Sequence, residues 1–422
     1  MKLFRNASLP TSSAALKRVN VLFDETIHKI SADEITYDGP LEETDLKGKV
    51  LLPGGIDAHC HLIAGKDAAK HLAAATKTAI TGGWTTMGEL SYFNPTPIFT
   101  LPDLKRTIAL LDDNAWVRMP LWGNVDIGDY PYHAESALEL WTHGVVGISL
   151  FSPSPNPEIP DISFTEIMEL FIDIYESDTA FAFQGWDHEN HNACDYGSAE
   201  DAIKKLLRRM QENPIHIPRV AAFTTIEFIN TISKRSDISF SIPIADLMNI
   251  YGGTPKYLDH DLLEQKDLLF ELLRTNKVYM LSNNAATPPP DKDVFSVFLG
   301  TDPALLKHSY LWVLSELWKK RKVPLATVIK MTSENAAKRL GLYPAKGCID
   351  EGSDADFVIY DPQKNTEFTT SDGVTQTLEG AIDSVYLEGC LVASNGKAKE
   401  RRGGFLARSA GPKRRYNNRT WI

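Results

Sequence analysis

The stretch Pro53-Gly54-Gly55-Ile56-Asp57-Ala58-His59-Cys60-His61 governs how the rest of the chain is read. It follows a short apolar run, Lys49-Val50-Leu51-Leu52, and a Pro-Gly-Gly turn. In an extended strand, side chains two residues apart point to the same side. His59 and His61 therefore project together from a strand end, with Cys60 turned away. Two imidazoles on one side are a good start for a zinc site, although an HxH pair alone is a weak signal.

Downstream, apolar strand-like runs alternate with helical patterns, as in βα units with a parallel sheet. The candidate strands are Thr85-Thr86-Met87, Val145-Val146-Gly147-Ile148, Ala180-Phe181-Ala182-Phe183, Phe240-Ser241-Ile242 and Val278-Tyr279-Met280-Leu281. Ala199 to Gln211 and Leu262 to Arg274 are the clearest helices. Roughly eight such units fit between Ile56 and Tyr343, which suits a closed barrel. Both ends of the chain are instead β-rich: Val19-Asn20-Val21-Leu22-Phe23 before the motif, Ala355 to Tyr360 and Ser384 to Leu387 after the middle. The expected architecture is α/β, a TIM-type (β/α)8 barrel over 55–344. A small composite β-sandwich is formed by 1–54 and 345–400, with a basic tail over 401–422.

Of 422 residues, 43% are hydrophobic and 9% aromatic, as in a globular chain with a large buried core. No apolar run approaches the ~20 residues that span a bilayer, so no membrane partner is expected. Met1 to Asn20 lacks the apolar core of a secretory signal, which points to a cytoplasmic protein. The net charge of -11 argues against nucleic acid as a partner. The tail is the local exception, with Arg401, Arg402, Arg408, Lys413, Arg414, Arg415 and Arg419. It either meets an acidic surface on a partner subunit or is a solvated end. Cys60, Cys194, Cys348 and Cys390 are scattered without CxxC spacing, so neither a disulfide framework nor a zinc knuckle is suggested.

The run PGGIDAHCHL after a β-rich start resembles the first barrel strand of dihydroorotases, dihydropyrimidinases and allantoinases, the cyclic-amide hydrolases of the amidohydrolase superfamily. Thr81-Gly82-Gly83-Trp84-Thr85-Thr86-Met87 is similar to their second-strand GG-x-TT segment. Thr332 to Leu342 is similar to their last barrel helix, and Lys346 to Ile349 with Gly352 to Val358 resembles the return into the sheet domain. The resemblance spans nearly the whole chain in order and spacing. It implies a site where two divalent metals share a hydroxide that attacks a ring amide. The implied ligands are the HxH pair, a carboxylated lysine on the fourth strand, histidines on the fifth and sixth, and an aspartate on the eighth that also moves the proton.

The sequence departs from that pattern at four of the six ligand positions. Ser149 stands at the lysine position, and no lysine occurs from Arg106 to Ile203. Gln184 replaces the fifth-strand histidine. Pro243 falls at the sixth-strand position, with no histidine between Ile217 and Asp259. Asn283 takes the place of the aspartate, and an amide cannot accept a proton as a base at neutral pH. Dihydroorotases also place an arginine after the HxH to grip the substrate carboxylate, where this chain offers Lys66. A binuclear zinc centre is therefore not expected; the cofactor expectation is none or a single zinc.

Three readings stay open. The first is a repurposed enzyme acting on a C–N bond of a small cyclic amide or its open form. Asp187, His188 and Asn283 are its candidate catalytic residues, and Ser149, Gln184, Lys66 and Asn284 would bind substrate. His59 and His61 form its residual metal pair. Glu189 and His191 extend the polar cluster after the fifth strand, where barrels carry catalysis. The second reading is a catalytically silent scaffold, since the fold family forms homodimers and homotetramers. The third is a small-molecule binder lined by Trp84, Trp186, Tyr92 and Phe93.

Overall fold

A computed structural model describes residues 1–11, 15–90, 97–174, 179–192, 196–209, 213–220, 223–232, 237–252, 265–287, 300–369, 373 and 375–409. Tyr92, Phe93, Cys194 and the tail beyond Ser409 lie outside them. The N-terminal strands are β1 (Lys2–Pro10), β2 (Leu16–Phe23), β3 (Ile27–Ser31), β4 (Glu42–Asp45) and β5 (Val50–Pro53).

The barrel follows with β6 (Gly55–Cys60), β7 (Trp84–Glu89), β8 (Arg118–Met119) with β9 (Trp122–Asn124), β10 (Gly147–Ser152), β11 (Phe181–Gly185), β12 (Ile215–Ile217), β13 (Ile238–Pro243) and β14 (Met280–Ser282). Here β8 and β9 form one staved strand, interrupted at Pro120, which has no N–H to donate to a ladder. Neighbouring barrel strands pair in parallel, and a bridge from His61 to Ala286 joins the last strand to the first. Strands β6, β7, β10, β11 and β13 are buried along their whole length, as expected when helices cover one face and the barrel interior fills the other.

The covering helices include α1 (Ala68–Thr81), α2 (Leu101–Asn114), α3 (His133–Thr142), α4 (Phe164–Asp173), α5 (Tyr196–Arg209), α6 (Phe223–Ile232), α7 (Ile244–Gly252) and α8 (Lys266–Arg274). Local chemistry sets their starts. Thr100 with Asp103, and Ser163 with Glu166, close reciprocal capping boxes that satisfy N-terminal N–H groups of α2 and α4.

Strands β15 (Phe357–Thr369), β16 (Thr375–Leu387), β17 (Cys390–Ser394) and β18 (Lys397–Ala398) complete a nine-stranded sheet by pairing β15 antiparallel to β5. Strand alternation gives this sheet two faces. Leu51, Phe357, Ile359 and Tyr386 join Phe4 and Phe23 in one core, while Val50, Leu52, Val358 and Val385 belong to the barrel-side core. Gly404–Phe405 forms β19, parallel to β8, and Arg408 lies 3.5 Å over the Trp141 ring. The first part of the basic tail is thus seated on the barrel.

The fold matches the expectation, with two corrections to the strand count. The segment around Phe240 is the seventh strand, not the sixth. The sixth is β12, only three residues long between Pro214 and Pro218, too short to show a period in the sequence. The third strand is divided at Pro120, so no continuous apolar run marks it in the sequence.

Candidate active site at the barrel mouth

β6 brings Asp57, His59 and His61 to the barrel interior. Its pairing with β7 is irregular between Asp57 and Cys60, a feature that re-aims side chains. Gly88 permits the close approach, because a Cβ there would sit 2.3 Å from the Ala58 carbonyl oxygen. The rings of His59 and His61 lie 6.3 Å apart, and Phe151 packs 6.4 Å from His61. Cys60 turns the other way, its Sγ 3.3 Å from a Glu89 carboxylate oxygen.

The sixth strand does carry a histidine, His216, which corrects the expectation that Pro243 replaces it: Pro243 ends the seventh strand, and three of the six positions are substituted, not four. His216 is fully buried, stacks on Trp122, and places its Nε2 3.5 Å from His59 Nδ1. The signal available for it was the Ile-His-Ile alternation between two prolines.

The hydrogen-bond network assigns the tautomers. Ser239 Oγ donates to the Ile215 carbonyl, so it accepts from His216 Nδ1 at 3.0 Å. His216 Nε2 is then the acceptor for His59 Nδ1–H. His61 Nδ1 donates to the Leu90 carbonyl at 2.6 Å. Both His59 and His61 therefore present an Nε2 lone pair, and neither Nε2 has a partner among the described residues. Burial is the main reason both rings stay neutral. It brings His61 down to about 4, and with the charges of His216, His61 and Arg219 it holds His59 well below the usual range.

The end of β14 supplies the opposite wall. Asn283 donates from its backbone N–H and from Nδ2 to Asp57 Oδ2, at 2.7 and 3.0 Å. Burial still raises Asp57 to about 7, against the pull of those bonds. Asn284 is held at φ +48, a left-handed backbone that asparagine tolerates better than most residues. Its amide favours the protonated forms of both His59 and His61, so it faces the two rings. Neither of its side-chain polar atoms makes a hydrogen bond of normal geometry with a described residue, and Asn283 Oδ1 is likewise unmet.

Ser149 and Gln184 lie on the interior faces of β10 and β11, by alternation with Phe151 and Ala182. Ser149 Oγ donates to the Gly123 carbonyl and accepts from Asn124 Nδ2 at 2.6 Å. Asp187 and His188 are turned elsewhere. The Asp187 carboxylate accepts from Asn190 at 2.7 Å and pairs with Lys205 of α5 at 3.3 Å; burial raises its pKa, and these partners more than reverse that. His188 packs on Trp186, His191 pairs with Asp201 at 3.0 Å, and Glu189 pairs with Lys205. Lys66 is exposed on the loop before α1. Trp84 donates to Ser309 Oγ within the core. A second buried pair, missed in the sequence, is Arg219 with Asp246, joined by two 3.1 Å bonds.

Among the described residues, no three His, Cys, Asp or Glu side chains come together as a metal-ligand set. Two presented imidazoles fall short of the three protein ligands usual for one catalytic zinc. The described donors do not fit a two-metal centre.

The Amidohydrolase family model matches residues 280–392, from β14 through the last barrel helices into the composite sheet. The chain is 26% identical to an allantoinase of Rubrobacter xylanophilus over 77% of this chain and 78% of that one. With an allantoinase of Streptomyces avermitilis the figures are 23%, 86% and 89%. By these matches the chain is similar to members of the amidohydrolase superfamily, allantoinases among them. The fold agrees: an L-hydantoinase (dihydropyrimidinase) from Arthrobacter aurescens superimposes with a TM-score of 0.81 at 20% identity, over 96% of this chain and 99% of that one. No helix among the described residues is long and apolar enough to cross a membrane.

Proposed function

We propose that the chain acts on a C–N bond of a small cyclic amide, or closes the ring-opened form, at a site built on His59, His61, Asn283 and Asn284 without a binuclear metal centre. One observation carries this reading. Five side-chain atoms at the mouth (His59 Nε2, His61 Nε2, Asn283 Oδ1 and both polar atoms of Asn284) are buried without a hydrogen bond of normal geometry to a described residue, the Asn284 amide lying against both rings. Each such atom costs about 1–3 kcal/mol unless something meets it. A planar amide ring, with alternating N–H and C=O groups, offers the matching donors and acceptors.

In hydrolysis, a water oxygen adds to the ring carbonyl carbon and the C–N bond breaks. One water proton ends on the leaving nitrogen and the other is released to solvent as the new carboxylic acid ionises, so the products carry a carboxylate and a freed N–H. His61 Nε2 is the acceptor for the proton that reaches the nitrogen, and Asn284 Nδ2 is the donor for the developing oxyanion. A base held down to about 4 is weak, so turnover is expected to be slow. One zinc per chain on His59 and His61 is the variant of this reading that elemental analysis separates.

A second reading, a silent partner in a homodimer or homotetramer, is favoured by burial: His61, at 6% exposure, is the most accessible of the four site residues. The deciding test is a panel of hydantoin, allantoin, dihydrouracil and dihydroorotate, assayed in both directions with metal content measured alongside. Turnover or saturable binding that is lost in His59→Ala/His61→Ala supports the enzyme. No binding by any of them, with an assembly unchanged by the double substitution, rejects it in favour of the scaffold.

A further inference from the structure

A separate cavity of about 260 Å³ opens beside the third barrel strand, lined by Asn124, Asp126, Asp129, His133 and Ser136, with Phe99 and Thr100 at the start of α2. One of its buried polar groups is His133, the first residue of α3, which is 2% exposed. Both ring nitrogens of His133 lack a partner among the described residues. A neutral imidazole has one position for an acceptor and one for a donor, and no described residue fills either. The ring is also covered on one face. Tyr130 stacks on it at 5.3 Å and 28°, and is itself 59% exposed.

The charge of the lining selects the ligand. Asp126 and Asp129 are half-buried and exposed, and none of the lining side chains is a lysine or arginine. Among the described residues, Asp126 Oδ1 accepts from Gly128 N, and Asp129 Oδ2 accepts from Ser136 Oγ at 3.3 Å. The α3 N-terminus contributes about half a positive charge, which two carboxylates outweigh. A metal ion is disfavoured, because these side chains do not converge as a ligand set.

We infer that this cavity binds a small organic cation, an ammonium or guanidinium group, with the charge met by Asp126 and Asp129 and a donor or acceptor met by His133. A guanidinium spreads five N–H donors over a plane, so it can meet carboxylates that do not converge on one point, as a metal ion could not. The site is distinct from the histidine cluster but wired to it, since Asn124 lines the cavity and donates to Ser149 Oγ at the mouth.

The test is titration of the full chain with methylguanidinium, followed by NMR or calorimetry, with acetate and zinc as parallel probes. Saturable millimolar-range binding is expected, weakening with added salt. Asp129→Asn, at an exposed position, should weaken it at least about fivefold, consistent with loss of a charge-assisted bond. His133→Phe should do the same, with the thermal midpoint of each variant recorded to exclude unfolding. Absence of saturation with methylguanidinium overturns the inference, as does binding that both variants leave unchanged. Preferential binding of acetate or stoichiometric zinc overturns it in favour of an anion or metal site. Glu135→Gln, outside the lining, serves as the control that should leave the affinity unaltered.

Discussion

Two buried polar clusters sit at opposite faces of the barrel, and they are built on opposite terms. At the sheet side, Lys346 is 3% exposed and meets Asp354 at 2.7 Å, Asp356 at 2.8 Å and Glu388 at 3.5 Å, while Glu388 also holds Arg118. Burial works against the ammonium, but the three carboxylates overcome it and raise Lys346 above its ordinary range. This cluster joins the barrel to the composite sheet. At the mouth, the polar atoms are just as buried but lack such partners. A satisfied network serves the fold, whereas an unsatisfied one is kept at a cost to the fold and is where function is to be sought.

The comparison breaks most sharply at Lys346. Lys346→Met leaves three carboxylates crowded without their cation and should cost about 3–5 kcal/mol in urea unfolding. A loss near zero would mean that the clamp is not what joins the two domains.

The next effect is in pH. His61, lowered to about 4 from 6.5, gives stability that is complete above pH 6.5 and is lost as pH falls toward 4. Asp57, raised to about 7 from 3.8, gives the reverse: stability is complete below pH 3.8 and lost as pH rises toward 7. Across their shared window the two nearly cancel. His59 and His216, both held low, have no such counterweight, so the protein should lose stability on acidification. Asp57→Asn removes the opposing contribution and should steepen that loss by about 1.4 kcal/mol per pH unit, read from urea midpoints.

Asn284→Gly sharpens the contrast from the other side. It relieves a left-handed backbone and removes two unmet polar atoms, so the variant should be about 1 kcal/mol more stable while losing turnover or ligand binding. The smallest effect is expected from Ser239→Ala. It removes the acceptor that fixes His216, costing about 1 kcal/mol or less. Its signature is an altered pH profile of activity, because His59 no longer has an assigned tautomer.

The fold was legible because barrel strands and sheet strands announce themselves by run length and alternation, and because Pro53 to His61 marks the junction between them. Strands too short to show a period were not legible, and β12 carried His216 with it. The His59–His61 pair followed from strand geometry alone. The Asp187–His188 segment shows the limit of that reasoning: a polar loop after a strand looks catalytic in one dimension, but Lys205, eighteen residues on, turns Asp187 toward α5. Likewise the bond between Asp57 and Asn283 spans residues that no local pattern connects.

The pairing of β5 with β15 also dictates an order of events during synthesis. Roughly 300 residues separate these partners, and at about 5–20 residues per second the first strands wait on the order of a minute or less for their neighbour to be made. Through that interval Leu51, Phe4 and Phe23 have no Phe357 or Tyr386 to cover them, so the nascent chain presents an aromatic sheet edge beside a growing barrel. A chaperone that holds this edge would act before any barrel strand closes, and its release would be timed by the emergence of β15 and β16.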